Sequence, residues 1–261
     1  MAKNIVITGA SAGIGEAIAK QAAARGDRVV LAARRREELE RVAATLGGQA
    51  AAVVPTDVTR RADIDRLRDQ SIAALGHVDV WISNAGRGIN RSALQLTDED
   101  IDDMITVNVK SALYGAQAIV PHFQERNAGH LIHISSFLAR VPAASVRSAY
   151  SAAKAALNSL TANLRMDVRA KHPGVHITTV MPGPVSTGFH QNVRGADGSL
   201  MPTRRGPLAA QTADEVAAVV LAHLDNPSPP AEAYTNPVHP DMARRYLGDI
   251  DAFEAIIMAP H

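Results

Sequence analysis

The sequence predicts a doubly wound α/β fold, a parallel sheet of about seven strands with helices on both faces. Three observations carry this. Short apolar runs recur along the 261 residues, separated by longer stretches in which apolar residues follow the helical period. The first run, residues 5–7, passes through glycines at 9, 13 and 15 into the helical pattern of residues 14–24. Finally, no linker, internal repeat or low-complexity tract divides the chain, so residues 1–261 are read as a single domain.

Taken in order, the strands after the first helix are residues 28–32, 51–54, 78–82, 131–134 and 175–180, with a short last strand at 232–234. Helical patterns fall between them at 37–46, 62–74 and 149–170, with Thr59 as the expected cap of the second. Thr97 and Asp100 form a variant capping box that opens a helix running to about His122. Thr212 and Glu215 form a regular one before a helix ending near Leu224. This alternation is the signature of right-handed βαβ units. Two stretches break it. Residues 183–212 mix Gly, Pro, Ser, Asn and Arg without period, and 184–212 is the expected substrate lid. The tail after Pro227 is Pro-rich, but its run from Phe253 to Met258 has enough apolar surface to dock.

Composition removes several function classes. With 27 Lys+Arg against 26 Asp+Glu, a formal charge of +1 provides no bulk field for nucleic acid or an anionic membrane. There is no cysteine to act as nucleophile, metal ligand or disulfide. No apolar run approaches the ~18 residues of a membrane span, and the first strand follows directly on Met-Ala-Lys-Asn, so a soluble cytoplasmic protein is expected. His130 and His133 flank a strand and give little reason to expect a metal. Trp81 is read as core.

Ligands of an open parallel sheet bind beyond the carboxyl ends of its strands. The polar residues at those ends are Gly9 to Gly15, Arg34, Arg35, Asp57, Asn84, Ser135, Ser136 and Pro182 to Thr187, joined by Tyr150 and Lys154 at the start of a helix. A glycine-rich strand-to-helix turn lets a phosphate approach unpaired N–H groups and the positive end of a helix. Tyr150 and Lys154, four residues apart, share a helix face, so the ammonium is expected to lower the phenol pKa against desolvation. A strand-end serine within reach would donate to a substrate carbonyl oxygen while the phenol delivers its proton.

Together these residues resemble the short-chain dehydrogenase/reductase family over essentially the whole chain. Thr8 to Gly15 resembles its TGxxxGxG motif, Asn84-Ala85-Gly86 its NNAG motif with Ser83 in place of the first Asn, Tyr150 to Lys154 its YxxxK motif, and Pro182, Gly183 and Thr187 its PGxxxT segment. The resemblance implies a Rossmann-like fold and an oxidoreductase that interconverts a ketone or aldehyde and its alcohol by direct hydride transfer. It assigns Tyr150 as general acid and base, Lys154 to ribose binding and pKa lowering, and Asn108 to a proton relay. Ser136, in preference to Ser135, would stabilise the carbonyl oxygen. Cofactor contacts are implied for Gly9, Ser11, Gly13, Ile14, Gly15, Asp57, Val58, Asn84, Ala85, Gly86, Tyr150, Lys154, Pro182, Gly183, Val185 and Thr187. Lookalikes also imply a homotetramer or homodimer.

Cofactor choice follows from charge. Ala33 stands where an NAD enzyme places an acidic residue for the ribose 2′-OH, and Arg34 and Arg35 follow it. Arginine forks pair with phosphate oxygens, so NADP(H) is expected over NAD(H). The substrate is expected against Ser136, Phe137, Leu138, Tyr150, Phe189 and His190, a partly apolar set suited to a carbonyl or alcohol. If Arg140, Arg147 or Arg194 faces inward, a carboxylate or phosphate substrate follows. Competing readings are an NAD-dependent alcohol or sugar dehydrogenase and a non-catalytic dinucleotide sensor. A sensor has no need of the complete Ser-Tyr-Lys-Asn set.

Overall fold

The computed structural model describes residues 2–188, 193 and 210–258. Its strands are β1 Asn4–Thr8, β2 Arg28–Ala33, β3 Ala50–Pro55, β4 Val80–Ser83, β5 Gly129–Ile134, β6 Val175–Met181, β7 Val185–Ser186, β8 Gln211–Thr212 and β9 Glu232–Tyr234. The α-helices are α1 Gly13–Ala24, α2 Arg36–Ala43, α3 Arg61–Leu75, α4 Asp98–Ile105, α5 Ser111–Arg126, α6 Ser148–Arg169, α7 Ala213–Ala222, α8 His239–Gly248 and α9 Ile250–Met258.

Seven strands form a parallel sheet in the order β3-β2-β1-β4-β5-β6-β9, the Rossmann-like arrangement expected. The chain winds outward from β1 to β3, then returns to the centre and winds the other way from β4. The reversal leaves a crevice beyond the carboxyl ends of β1 and β4. β1 shows why its sequence is a continuous apolar run. Ile5 and Ile7 pack on one face with Ile18, Leu39 and Val220, while Val6 packs on the other with Ile64, Leu67, Trp81 and Phe123. A strand covered on both faces has no polar side.

Local chemistry explains where elements begin and where expectation and structure part. Thr97 Oγ1 accepts from Asp100 N–H at 3.3 Å and Asp100 Oδ2 from Thr97 N–H at 3.1 Å; Thr212 and Glu215 close the same reciprocal pair. Thr59 does not cap α3. It donates through N–H and Oγ1 to Asp57 Oδ1, at 3.0 and 2.7 Å, and leaves the cap position to Arg60. The helix expected from Thr97 to about His122 is two helices, α4 and α5, joined by a π-helical turn at Thr106–Lys110. Within that turn Ser111 Oγ donates to Val107 O at 2.6 Å and Asn108 Nδ2 to Met104 O at 3.1 Å, so side chains take up carbonyls in the widened turn.

The ends of the irregular stretch are tied together. β7 pairs with β8, Val185 opposite Gln211 and Ser186 opposite Thr212, whereas Phe189, His190 and Arg194 lie outside the described residues. The tail docks through Phe253, whose ring meets Tyr246 edge-on at 5.5 Å. Among the described residues no helix is long and apolar enough to cross a membrane.

Candidate active site

The turn after β1 is shaped by what its glycines lack. Gly9 and Gly13 have φ of 68° and 57°, in the left-handed region that L side chains avoid. A Cβ at Gly15 would collide with the Gly9 carbonyl and lie 2.6 Å from Asn84 Nδ2. Asn84 in turn holds the loop, its amide donating to Thr8 O at 3.0 Å and Gly9 O at 3.3 Å. Thr8 Oγ1 accepts from the N–H groups of Asn84 and Ala85 at 3.0 and 3.2 Å, which stitches the end of β1 to the segment after β4. Asn84 is therefore a clamp on the turn rather than a side chain free to reach a ribose. Thr187 crosses above Gly13, at 3.3 Å from where its Cβ would be. Ser11 contributes its carbonyl, which accepts from Arg41 at 3.2 Å. Ile14 packs against the core beneath.

Beyond β2 and β3 lies a shallow cavity of about 510 Å³, lined by Arg34, Pro55, Thr56, Asp57, Arg60, Asp63 and Arg66. Arg66 pairs with Asp63 at 2.9 Å, whereas Arg34 and Arg60 form no ion pair among the described residues. Arg35 is the exposed N-cap residue of α2 and does not line the cavity. Arg60 was not foreseen, because only the return of β3 beside β2 brings it opposite Arg34. Val58 packs its side chain into the core.

The proton-handling groups meet at the start of α6. The Ser136 hydroxyl hydrogen-bonds the Tyr150 phenol, and Ser136 Oγ accepts from Leu138 N–H at 3.1 Å. The Ser136 hydroxyl thus sits between the Leu138 amide and the phenol. Ser135 is turned away, donating to Lys154 O at 3.4 Å. Lys154 is buried, donates to Ile134 O at 2.8 Å, and stands 5.8 Å from the centre of the Tyr150 ring. Gly86 closes the group from the other side: a Cβ there would lie 3.0 Å from Asn108 Oδ1 and 3.5 Å from Lys154 Nζ. The Asn108 side chain is fully engaged, its Oδ1 accepting from Arg87 N–H at 3.2 Å and its Nδ2 donating to Arg87 O at 3.0 Å.

The phenol and the ammonium are both shifted by burial. Burial raises the Tyr150 pKa above its ordinary value, and what pulls it back is first the Ser136 hydrogen bond and then the charge of Arg147. The Lys154 ammonium faces the Ile134 carbonyl and is itself pushed down to about 8 by burial.

On the substrate side Phe137 is 2% exposed and stacks on His239, ring centres 4.1 Å apart, with Val141 and Ala243 around it. Leu138 is half-buried. His239 has both ring nitrogens without a partner, is pushed down to about 4 by burial, and stands where a Cβ on Gly183 would be. No local pattern marks it, since a hundred residues separate it from Phe137. Pro182 O accepts from Phe137 N–H at 2.7 Å, and Val185 begins the two-residue ladder. His130 and His133 hydrogen-bond Thr178 and Thr161 at 2.9 and 2.8 Å, each to a different neighbour.

A nucleotide cradle at the sheet reversal, with a tyrosine, a lysine and a serine gathered beside it, defines a dinucleotide-dependent oxidoreductase site. Comparison with known proteins gives the family. The short chain dehydrogenase family model matches residues 3–198. An uncharacterized oxidoreductase of Staphylococcus aureus (strain USA300) is 36% identical over 225 residues, 86% of this chain and 92% of that protein. A short chain dehydrogenase/reductase from Burkholderia phymatum in complex with NAD superposes with a TM-score of 0.83 at 26% identity, covering 96% of this chain and 95% of that one. The closed form of a serine dehydrogenase complexed with NADP+ gives 0.81 at 31% identity, with 90% and 94% covered. The chain belongs to the short-chain dehydrogenase family, as an oxidoreductase. The cradle left by Gly9, Gly13 and Gly15 at the start of α1, and the arginines beyond β2, fit a nicotinamide dinucleotide.

Proposed function

We propose that the protein is an NADP(H)-preferring oxidoreductase that interconverts a ketone or aldehyde and its alcohol, with Tyr150 as the proton-transferring residue. The observation that carries this reading is the hydrogen-bonded chain from Leu138 N–H through Ser136 to the Tyr150 phenol. When bound, the nicotinamide supplies or accepts the hydride. Tyr150 gives its proton to the carbonyl oxygen in reduction and takes it back in oxidation. Ser136, beside the phenol, turns its proton to the same substrate oxygen and fixes it within reach. Lys154, with Nζ anchored on Ile134 O, presents a buried cation to the cofactor ribose. Asn108 positions rather than reacts. Its side chain holds the Arg87 backbone, and with it Gly86, against Lys154.

NADP(H) over NAD(H) is supported by Ala33 at the end of β2 and by Arg34 and Arg60 at the cavity beyond it, where three arginines outnumber Asp57 and Asp63. Gly9, Gly13, Ile14 and Gly15 would hold the pyrophosphate end, Asp57 and Val58 the adenine, and Pro182, Gly183, Val185 and Thr187 the nicotinamide side. Assembly as a homotetramer or homodimer belongs to the same reading.

Tyr150→Phe tests it. The variant is expected to bind dinucleotide as the parent does, by fluorescence titration, and to lose about 10²- to 10⁴-fold in kcat, the usual contribution of a positioned acid. Retained turnover removes Tyr150 from the chemistry.

A further inference from the structure

Four arginines lie in the segments that follow β4 and β5 and lead into α6, and three of them are neutralised. Arg87 forms a two-pronged pair with Asp103 at 3.0 Å, Arg91 pairs with Asp100, and Arg140 pairs with Glu232. Arg147 has no acidic partner among the described residues, and its Nη1 is buried without a hydrogen bond. The position is not a loose one. Arg147 is the N-cap residue of α6; its N–H donates to Ala144 O and its carbonyl accepts from Ser151 N–H, each at 2.8 Å, and it bridges Arg91 across the adjoining segment. Its charge acts on the Tyr150 phenol, three residues further along the start of α6. An arginine keeps its proton even so, and leaving the buried N–H of a half-buried cation unpaired is costly unless a ligand completes it.

We propose that the substrate carries a carboxylate a few bonds from its reacting carbon, and that Arg147 is the residue that binds it. This rests on the oxidoreductase reading and names its substrate class: short oxo acids and hydroxy acids. Carboxylate is chosen over phosphate because, among the described residues, Arg87, Arg91 and Arg140 are already engaged and a single guanidinium matches a single negative charge. A planar guanidinium with one N–H already dry suits a two-oxygen partner. The start of the 22-residue α6 adds its positive dipole end beneath the same spot.

The test is a set of 2-, 3- and 4-oxo acids, each beside its own primary amide, assayed with NADPH and NADH. The amide keeps shape and removes charge. The parent enzyme is expected to prefer at least one acid over its amide by about 10- to 100-fold in kcat/KM, the worth of a charge-assisted bond. Arg147→Met is expected to erase that preference, chiefly through KM, and Arg147→Lys to restore part of it. The parent's own acid-to-amide ratio needs no variant to fold. Calorimetric binding of the matching hydroxy acid in the presence of oxidised dinucleotide is expected to weaken by a similar factor in Arg147→Met. A parent that reduces neutral carbonyls and is indifferent to charge overturns the carboxylate alone, as does a variant that loses acid and amide equally. Absence of turnover on every carbonyl overturns the oxidoreductase reading, and this one with it.

Discussion

The two sides of the central crevice are made of different material. On the cofactor side β2 buries Val29, Val30, Leu31 and Ala32 with no polar side chain between them. On the catalytic side β5 and β6 bury His130, His133, Thr178 and Thr179, and α6 lays Ser151, Lys154, Asn158 and Thr161 against them. Several of these polar atoms, His133 Nε2, Ser151 Oγ, Asn158 Oδ1 and Thr179 Oγ1, have no hydrogen-bond partner. The first side is organised by volume and by the absence of Cβ atoms. The second tolerates the cost of buried polar groups, as sites that must hold a dehydrated lysine and a phenol do.

That contrast breaks most visibly in acid. Burial pushes His130 and His133 down to about 3, so both remain neutral in the folded protein at pH 5. In the unfolded chain they titrate near 6.5. Between pH 6.5 and 3 the unfolded state binds the extra protons, so stability is full above 6.5 and falls as the pH drops through that window. At pH 5 the cost is about 2 kcal/mol for each histidine, or about 4 for the pair. Urea midpoints at pH 7 and pH 5 read it directly. A His130→Gln, His133→Gln double variant is expected to flatten the slope, and an unchanged slope would place the acid sensitivity elsewhere.

The cofactor side breaks through volume instead. Gly15→Ala puts a methyl against the Gly9 carbonyl and 2.6 Å from Asn84 Nδ2, so α1 must withdraw from the turn or Asn84 must release it. Overpacking of this kind costs about 1–3 kcal/mol, and the dinucleotide loses its cradle as well. Weaker dinucleotide binding with a lowered melting temperature is the expected result. A variant with both unchanged would show that the turn has slack, which the clamp by Asn84 argues against.

The same contrast decides what was legible in the sequence. The apolar side was plain, because a strand covered on both faces must be a continuous apolar run and each helix between strands carries the 3.6-residue period. The glycine turn and the Tyr150–Lys154 spacing were legible for a similar reason, since both are local. What was not legible depends on side chains choosing among partners. Thr59 and Asp57 satisfy each other rather than α3, and Asn108 widens a helix by bonding Arg87 and Met104. The hold of Ile134 O on the Lys154 ammonium and the place of Arg147 near the phenol are partner choices of the same kind. Arg60 and His239 were invisible because only the sheet order and the return of the tail bring them to the crevice.

The smallest effect lies at the rim, where the two descriptions meet: charge matters there but water is present. Arg34 is exposed, so a phosphate bound to it is screened by salt more than a ligand at the half-buried Arg147 is. Arg34→Ala is expected to raise the Kd for NADPH by about 10-fold, the low end for a charge-assisted bond, and to leave NADH almost unaffected. Arg60→Ala is expected to do the same more weakly, and the discrimination of the parent between the two dinucleotides is expected to narrow as ionic strength rises. Titrations at two salt concentrations separate this from a structural effect. If Arg34→Ala weakens both dinucleotides equally, the residue shapes the turn into α2, and the preference must come from Ala33, which removes a carboxylate rather than adding a cation.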